Sequence, residues 1–428
     1  MEIGKHIHFM GIGGAGVSAV AAFAKEQGYS ISGCDLDKGS LFLKPLVQDN
    51  VKIFPKHDPD HLDKVDILVV SPAIESLDPN NKEFLTAKEK GLPVFIGEEF
   101  LAKYLIQNKK LIAIAGTHGK STTTAMVGTL LEEFGFDPSV LVGAVVLDWG
   151  KNYRVGKGEY FVVEADEFQE KFLLYHPYIS VISSIEMDHP EYFSDKEAVR
   201  AAFQKFVLRT AKNGFVVFGE NLDLETGRTK KQIVVKQKFE LKLIGELNQF
   251  NASIAATVGV ILGIEMDKIR GSLSKFGGIS RRFEFKGEVK GIKIFDDYGH
   301  HPTAIKATVE AAKQRFCDNR IWLVYQPHMF SRTKYLFNDF VEVFRSLGIH
   351  EAILVDIFAA RQENKDNISS RDIVETVKKD NVKYIGSFDE TVNHLVKSVS
   401  AGDIVVVMGA GDVYKLSILL EEKLRVKG

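Results

Sequence analysis

Leu111–Met126 reads LIAIAGTHGKSTTTAM, and this stretch decides the fold. The apolar run Leu111 to Ala115 predicts a buried parallel strand, Gly116-Thr117-His118-Gly119 breaks it, and Lys120-Ser121 opens a helix reaching about Phe134. Such a loop turns successive backbone N–H groups and a helix N-terminus toward one point, where a phosphate chain fits. Lys120 is placed to neutralise terminal phosphates and the Ser121 hydroxyl is available to Mg²⁺. The full G-x-x-x-x-G-K-[ST] pattern wants glycine at position 114, where Ile114 stands, so the motif is the shorter Gly116-x-x-Gly119-Lys120-Ser121. The competing reading is an ordinary glycine turn with a surface lysine.

Upstream, an apolar strand ends near Met10 and runs into Gly11-Ile12-Gly13-Gly14-Ala15-Gly16, followed by a helical stretch from Val17 to Gln27. Gly11, Gly13 and Gly16 satisfy G-x-G-x-x-G, and the next strand, Tyr29 to Cys34, ends at Asp35, roughly twenty residues on, where a Rossmann fold keeps its ribose-binding acid. Further strands are expected at Asp66 to Val70, ending in Ser71-Pro72, and at Pro93 to Ile96. Read alone this is a dinucleotide site. A dehydrogenase has no use for the second loop's Lys-Ser pair, whereas a kinase or ligase with a nucleotide-linked second substrate uses both loops.

Downstream, the strand Tyr160 to Val163 ends in Glu164-Ala165-Asp166-Glu167, and Ile179 to Ser184 leads into Glu186-Met187-Asp188-His189. Acids at the carboxyl ends of strands lie where open α/β sheets keep ligands and can hold Mg²⁺; alone, either group reads equally as solvated or structural. Asn248 and Asn251 share a face of a helix starting near Gly245, as caps or as nucleotide contacts. A third module begins near Ile279 with Ser280-Arg281-Arg282-Phe283. Its strand from Ile292 ends in Asp296-Asp297-Tyr298-Gly299-His300-His301-Pro302, with Thr303 as the expected cap of a helix to Arg315. Strands at Ile321 to Tyr325, Ile353 to Val355 and Ile404 to Met408 follow, the first ending in Gln326-Pro327-His328-Met329-Phe330-Ser331-Arg332-Thr333. Vicinal histidines and arginines at strand ends point to an anionic substrate. The alternation of strand and helix throughout predicts an α/β protein with mainly parallel sheets.

Composition sets the bounds. A chain of 428 residues exceeds what one core usually supports, and 45% hydrophobic with 26% charged residues is ordinary for a globular protein. A net charge of -2 makes no global case for nucleic acid or membrane partners. No apolar run approaches the ~20 residues of a membrane helix. Two cysteines, Cys34 and Cys317, lie far apart without metal-ligand spacing, which suits a reducing cytoplasm.

The blocks GIGGAGVSA (11–19), GTHGKSTTT (116–124), EADE (164–167), SRRFE (280–284), DDYGHHPTA (296–304), QPHMFSRT (326–333) and MGAGD (408–412) together resemble the Mur ligases, in family order over nearly the whole chain. The His-His-Pro and Ser-Arg-Thr segments resemble the alanine-adding branch and its relatives, the murein peptide ligases. The resemblance implies three domains: a Rossmann-like UDP-sugar domain at 1–108, a central P-loop ATPase domain at 109–278 and a Rossmann-like C-terminal ligase domain at 279–428. It implies an ATP- and Mg²⁺-dependent amide ligase in the cytoplasm, joining L-alanine to the lactyl carboxylate of UDP-N-acetylmuramate through an acyl phosphate. The alternatives are attachment of a ready-made peptide to the same sugar nucleotide, or use of another amino acid.

Carried onto this sequence, the resemblance assigns ATP to Gly116, Thr117, His118, Gly119, Lys120, Ser121, Thr122, Asn248, Asn251, Arg282 and Asp297, the Mg²⁺ shared with ATP to Ser121 and Glu164, and a second Mg²⁺ near the substrate carboxylate to His189. The UDP-sugar falls to Gly13, Gly14, Ala15, Gly16, Asp35 and Ser71; Tyr298, His301, His328 and Arg332 go to the amino acid and the sugar-linked carboxylate. Lys120, His189, Arg282, Asp297 and His301 form the catalytic set. The chain departs from the family at Ser121 (usually Thr), at Leu247 (usually His) and at Phe168-Gln169-Glu170-Lys171-Phe172, where Ser-Asp-x-Ser-Phe is typical. Phe203 stands where several other Mur ligases carry a carbamoylated lysine.

Overall fold

The computed structural model describes residues 4–219, 222–234, 236–360 and 362–426. Three α/β sheets follow one another along the chain. The first holds β1 (His6–Met10), β2 (Ser30–Cys34), β3 (Lys52–Phe54), β4 (Ile67–Val70) and β5 (Val94–Ile96), all parallel, in the order β3-β2-β1-β4-β5. Strand order reverses between β1 and β4, and Gly11 and Ser71 follow the carboxyl ends of these two strands, the place where open α/β sheets bind ligands.

The second sheet holds β6 (Lys110–Ala115), β7 (Ser139–Val146), β8 (Lys151–Arg154), β9 (Tyr160–Glu164), β10 (Ile179–Ile182), β11 (Phe215–Phe218) and β12 (Lys230–Ile233), ordered β12-β11-β10-β6-β9-β7-β8. β6 is central, paired with β9 on one side and β10 on the other, so the loop after β6 is flanked by the ends of both neighbours. That topology brings Glu164 to Glu167 and Ser183-Ser184 to the phosphate-type loop.

The third sheet holds β13 (Glu284–Val289), β14 (Ile292–Asp297), β15 (Ile321–Tyr325), β16 (Glu351–Leu354), β17 (Val382–Tyr384) and β18 (Ile404–Met408), ordered β13-β14-β18-β15-β16-β17 and parallel except for the β13–β14 hairpin. Both faces are covered. Leu323 and Tyr325 pack with Phe340 and Phe344 on one side, while Trp322 and Val324 pack with Leu395 and Leu416 on the other. A strand buried on both faces reads as a continuous apolar run, as Ile321 to Tyr325 does.

By internal contacts the chain forms two compact units. One carries the first two sheets, up to Ile185 with Arg200–Lys236 and Asn251–Gly277; the other carries the third sheet with Glu186–Val199 and Gln237–Phe250. No helix among the described residues is long and apolar enough to cross a membrane.

Local departures from expectation have local causes. Thr303 does not cap the helix Pro302–Arg315: His301 does, its Nδ1 accepting from the Thr303 N–H at 3.3 Å, with Pro302 at the first helical position. β10 stops at Ile182 because Ser183 and Ser184 turn toward the phosphate-type loop, and the expected Ile353 to Val355 strand starts earlier, at Glu351.

Candidate active site

Gly116 and Gly119 have φ of +135° and +81°, which let the loop between β6 and the helix Lys120–Glu133 fold back on itself. A Cβ on Gly116 would come within 2.1 Å of Ser183 Oγ, and one on Gly119 within 2.3 Å of Asn251 Oδ1. Asn251, only 1% exposed, therefore packs against the loop. The end of β10 holds the other side: Thr117 N–H donates to the Ser184 carbonyl at 3.0 Å, His118 N–H to Ser184 Oγ at 3.0 Å, and Ser183 Oγ–H to the His118 carbonyl at 2.5 Å. Thr122 is buried in the first turn of the helix.

Lys120 curls over this loop. Its ammonium donates to the Gly116 carbonyl at 2.7 Å and to both oxygens of Glu167 at 2.9 and 2.8 Å. Burial works against its charge, but Glu167 and Asp166 outweigh that and hold the ammonium above its usual range. Ser121 Oγ–H donates to Glu164 Oε1 at 3.1 Å, while Glu164 Oε2 accepts from Gly143 N–H at 2.7 Å. A hydroxyl and a carboxylate side by side at the mouth of a phosphate loop are the hard oxygen donors that Mg²⁺ takes. Glu167 was not among the expected site residues. Its signal lay in the same acidic turn as Glu164.

In the first sheet, Gly13 N–H donates to Asp35 Oδ2 at 2.7 Å and Asp37 N–H to Asp35 Oδ1 at 2.8 Å, so Asp35 ties its own turn to the glycine loop. Ser71 Oγ accepts from Ala73 N–H at 3.4 Å at the start of a short helix, and its Cβ lies 2.7 Å from where a Cβ on Gly11 would stand. Gly14 precedes the helix Ala15–Glu26, with Gly16 in its first turn; the Ala15 carbonyl accepts from Asn152 Nδ2 at 2.7 Å. Gln169, from the divergent segment, lines a cavity of about 500 Å³ with Val70, Pro72, Ile96 and Glu99. Phe172 of that segment is buried, stacked on Phe206 at 4.7 Å and edge-on to Phe203 at 5.2 Å.

The unit built on the third sheet has its own polar cluster. Arg332, 2% exposed, donates to Asp188 Oδ1 from Nε, with the second nitrogen also at 2.8 Å, and its Nη1 lies 3.1 Å from His328 Nδ1. His300 Nε2 lies 3.8 Å from Asp188 Oδ2. Burial, opposed by His300 and Arg332, leaves Asp188 well below the usual carboxylate range. Burial and the Arg332 charge lower His300 to about 4, and burial with the His300 and Arg332 charges lowers His328 to about 3. Both imidazoles are therefore neutral at pH 7.

His189, with φ of +54°, has Nδ1 at 2.9 Å from Glu191. His301 Nδ1 is 3.8 Å from Glu186, whose Oε2 also accepts from Thr303 Oγ1 at 2.9 Å. Asp297 accepts from Phe283 N–H at 2.9 Å and Gly299 N–H at 2.7 Å, and so holds the Arg281–Phe283 junction to the end of β14. Burial raises its carboxyl. The Arg282 guanidinium sits 5.2 Å from the centre of the Tyr298 ring. Asn248 Nδ2 donates to the Ile244 carbonyl at 2.8 Å. Asp188 and His300, like Glu167, are additions to the expected set; each adjoins a residue that was in it.

Comparison with known proteins agrees with this construction. Three family models match in succession: the Mur ligase family catalytic domain at residues 6–109, the Mur ligase middle domain at 114–254 and the Mur ligase glutamate ligase domain at 281–411. The chain is 37% identical to a UDP-N-acetylmuramate–L-alanine ligase of Alkaliphilus metalliredigens, over 98% of each chain. It is also 37% identical to one of Clostridium kluyveri, over 97% of each. The crystal structure of the UDP-N-acetylmuramate–alanine ligase MurC from Thermotoga maritima superimposes with a TM-score of 0.81 at 25% identity, covering 99% of this chain and 100% of that one. A murein peptide ligase from Psychrobacter arcticus shares the fold, with a TM-score of 0.73 at 23% identity over 99% of each chain. Three sheets in series, a phosphate loop braced by both neighbouring strands, and likeness over the full length together show that the chain belongs to the Mur ligase family.

Proposed function

We propose that the protein is an ATP-dependent amide ligase that joins L-alanine to the lactyl carboxylate of UDP-N-acetylmuramate, a step of peptidoglycan precursor synthesis in the cytoplasm. The observation that carries the reaction class is the loop with Lys120 folded over it and Ser121 bonded to Glu164. The amino acid rests on the full-length likeness to relatives that bear the alanine ligase name.

A carboxylate does not acylate an amine at neutral pH, so it must first be activated. ATP phosphorylates it to an acyl phosphate, the amine attacks the carbonyl carbon, and phosphate leaves with the electron pair of the C–O bond. The barrier to the first step is charge crowding at the γ-phosphate. Lys120 lowers it by exchanging Glu167 for phosphate oxygens, and the N–H groups at the start of the helix that Lys120 opens hold the chain in line. Ser121 and Glu164 are the donors we assign to the Mg²⁺ shared with ATP, and His189 to a second Mg²⁺ near the substrate carboxylate; bound there, the ions would supply charge neutralisation.

Gly13, Gly14, Ala15, Gly16, Asp35 and Ser71, at the reversal point of the first sheet, are assigned to the UDP-sugar. Asn248, Asn251, Arg282 and Asp297 are assigned to ATP. Tyr298, His301, His328 and Arg332 go to the amino acid and the carboxylate it joins. Neutral His328 and His300 suit a pocket that must not protonate an attacking amine at the expense of its nucleophilicity.

The test is phosphate release from ATP with UDP-N-acetylmuramate and a panel of amines: alanine, serine, glycine and a tripeptide. Release with alanine alone is expected. Dependence on the tripeptide would move the protein to the peptide-attaching ligases, and release indifferent to every amine would overturn the amide ligase reading.

A further inference from the structure

Four side chains that the ligase reaction does not use meet in the core of the first sheet. His8 lies on β1, Cys34 ends β2, His61 sits in the turn Pro59–Leu62, and Glu83 belongs to the helix Lys82–Glu89. One ligand-type atom from each lies within 4.8 Å of all the others. His8 Nε2 is 2.9 Å from Glu83 Oε1 and 3.4 Å from Cys34 Sγ; Cys34 Sγ is 3.3 Å from Glu83 Oε2; His61 Nδ1 is 3.2 Å from Glu83 Oε1. His8, Cys34 and Glu83 are wholly buried, and the His61 side chain is 6% exposed.

The surroundings orient these groups as metal ligands are oriented. His8 Nδ1 lies 2.8 Å from Ser32 Oγ, so in the tautomer that donates there the Nε2 lone pair faces the centre of the cluster. The His61 ring is fixed by stacking on Phe54, centroid to centroid 3.9 Å at 18°. Asp58 N–H donates to Glu83 Oε2 at 2.9 Å, and His57 Nδ1 lies 3.0 Å from Cys34 Sγ.

Charge points the same way. Among the described residues the ion-pair partners of the buried Glu83 are histidines, with no lysine or arginine. A thiolate, a carboxylate and two neutral imidazoles carry two negative charges, which one divalent cation balances inside the core. Tetrahedral zinc, with bonds of about 2.0–2.3 Å, spaces its ligands roughly 3.3–3.7 Å apart, close to the separations of 2.9, 3.2, 3.3 and 3.4 Å found here, so small shifts of these side chains admit it.

We propose that His8, Cys34, His61 and Glu83 form a structural site for a divalent metal ion, zinc by the chemistry of its ligands, distinct from the Mg²⁺ of the phosphate loop. On binding, the Cys34 S–H bond breaks, the sulfur keeps the electron pair to bond the metal, and the proton goes to solvent. The metal pins β2 to β1 beneath the glycine loop, because Gly11 and Ile12 N–H both donate to the Cys34 carbonyl, at 2.8 and 3.2 Å.

The experiment uses the full-length chain, dialysed against chelator and titrated with Co²⁺, with metal content and the near-ultraviolet sulfur-to-cobalt charge-transfer band as readouts. About one cobalt per chain with that band, displaced by zinc, is expected. Cys34→Ser should lose the band with an unchanged far-ultraviolet circular dichroism spectrum, and Ser32→Ala should weaken binding by about 10- to 100-fold. Absence of the band in the unmutated chain, or its persistence in Cys34→Ser, would overturn the site. Should Cys34→Ser fail to fold, His61→Gln decides: tight one-to-one binding retained in that variant also overturns it.

Discussion

The Lys120 ammonium is held by the Gly116 carbonyl and the Glu167 carboxylate, with 16% of its side chain exposed. Glu167 is 2% exposed and both its oxygens are engaged by Lys120. Under the proposed function, Lys120→Ala should reduce kcat by at least about 10²- to 10³-fold, since it removes the donor assigned to the phosphates. A Lys120→Ala protein that keeps unmutated turnover would remove the loop from the chemistry. Arg332 is the corresponding residue of the other unit. Arg332→Ala leaves Asp188 buried without its guanidinium and should destabilise the fold by about 3–5 kcal/mol, read by urea denaturation.

The two histidines beside Arg332 make stability depend on pH. His300 has a folded pKa of about 4 and His328 of about 3, below the ordinary value of about 6.5. The unfolded chain therefore binds more protons between these values, and stability falls as pH drops from about 6.5 toward 4. His300→Asn should flatten that part of the profile, by an amount on the order of 3 kcal/mol between the two ends, as measured by melting across the window. An unchanged slope would mean that His300 is not buried neutral.

At the scale of elements, the decisive geometry belongs to glycines and strand ends. Gly116→Ala must place a methyl where Ser183 Oγ stands, in a backbone region that L-residues rarely adopt. It should abolish ATP binding in calorimetry, while Gly271→Ala, inside the helix Met266–Leu273 with open space around it and no left-handed φ, should bind ATP normally. The same local view explains what could be read from the sequence. Strands buried on both faces, such as Ile321–Tyr325 and Ile404–Met408, appear as unbroken apolar runs with the ends the structure gives them. Two edge strands do not: Lys230–Ile233 reads KKQI and Glu284–Val289 reads EFKGEV, mostly polar or glycine because these strands lie largely exposed.

The cap at His301 was hidden for another reason. Thr303 has the better capping side chain, yet Pro302 belongs at the first helical position, which puts the cap one residue before it. Pairings across long separations were least legible. Lys120 with Glu167 and Asp188 with Arg332 depend on which strands are neighbours, and periodicity does not carry that. Likewise Cys34 has no metal-ligand spacing in sequence; its companions arrive from β1, a turn and a helix.

In each of the three sheets, the glycine loops, acids, histidines and arginines proposed to act lie mainly beyond the carboxyl ends of strands, where open α/β sheets keep their ligands. Motifs at those ends were readable because glycine, histidine, arginine and paired acids are rare company for one another on structural faces. A ligase of this kind should gain stability from nucleotide: a non-hydrolysable ATP analogue with Mg²⁺ at about 100 times its Kd should add about 2.7 kcal/mol. Calorimetry that finds no rise in Tm under those conditions would contradict a formed nucleotide site.

In the proposed reaction ATP activates a carboxylate for attack by an amine. Its most direct test is the fate of ¹⁸O placed in the lactyl carboxylate of UDP-N-acetylmuramate and turned over with ATP and L-alanine. Passage through an acyl phosphate predicts that the phosphate released carries one labelled oxygen and that the other stays in the new amide. Unlabelled phosphate alongside amide product would contradict it.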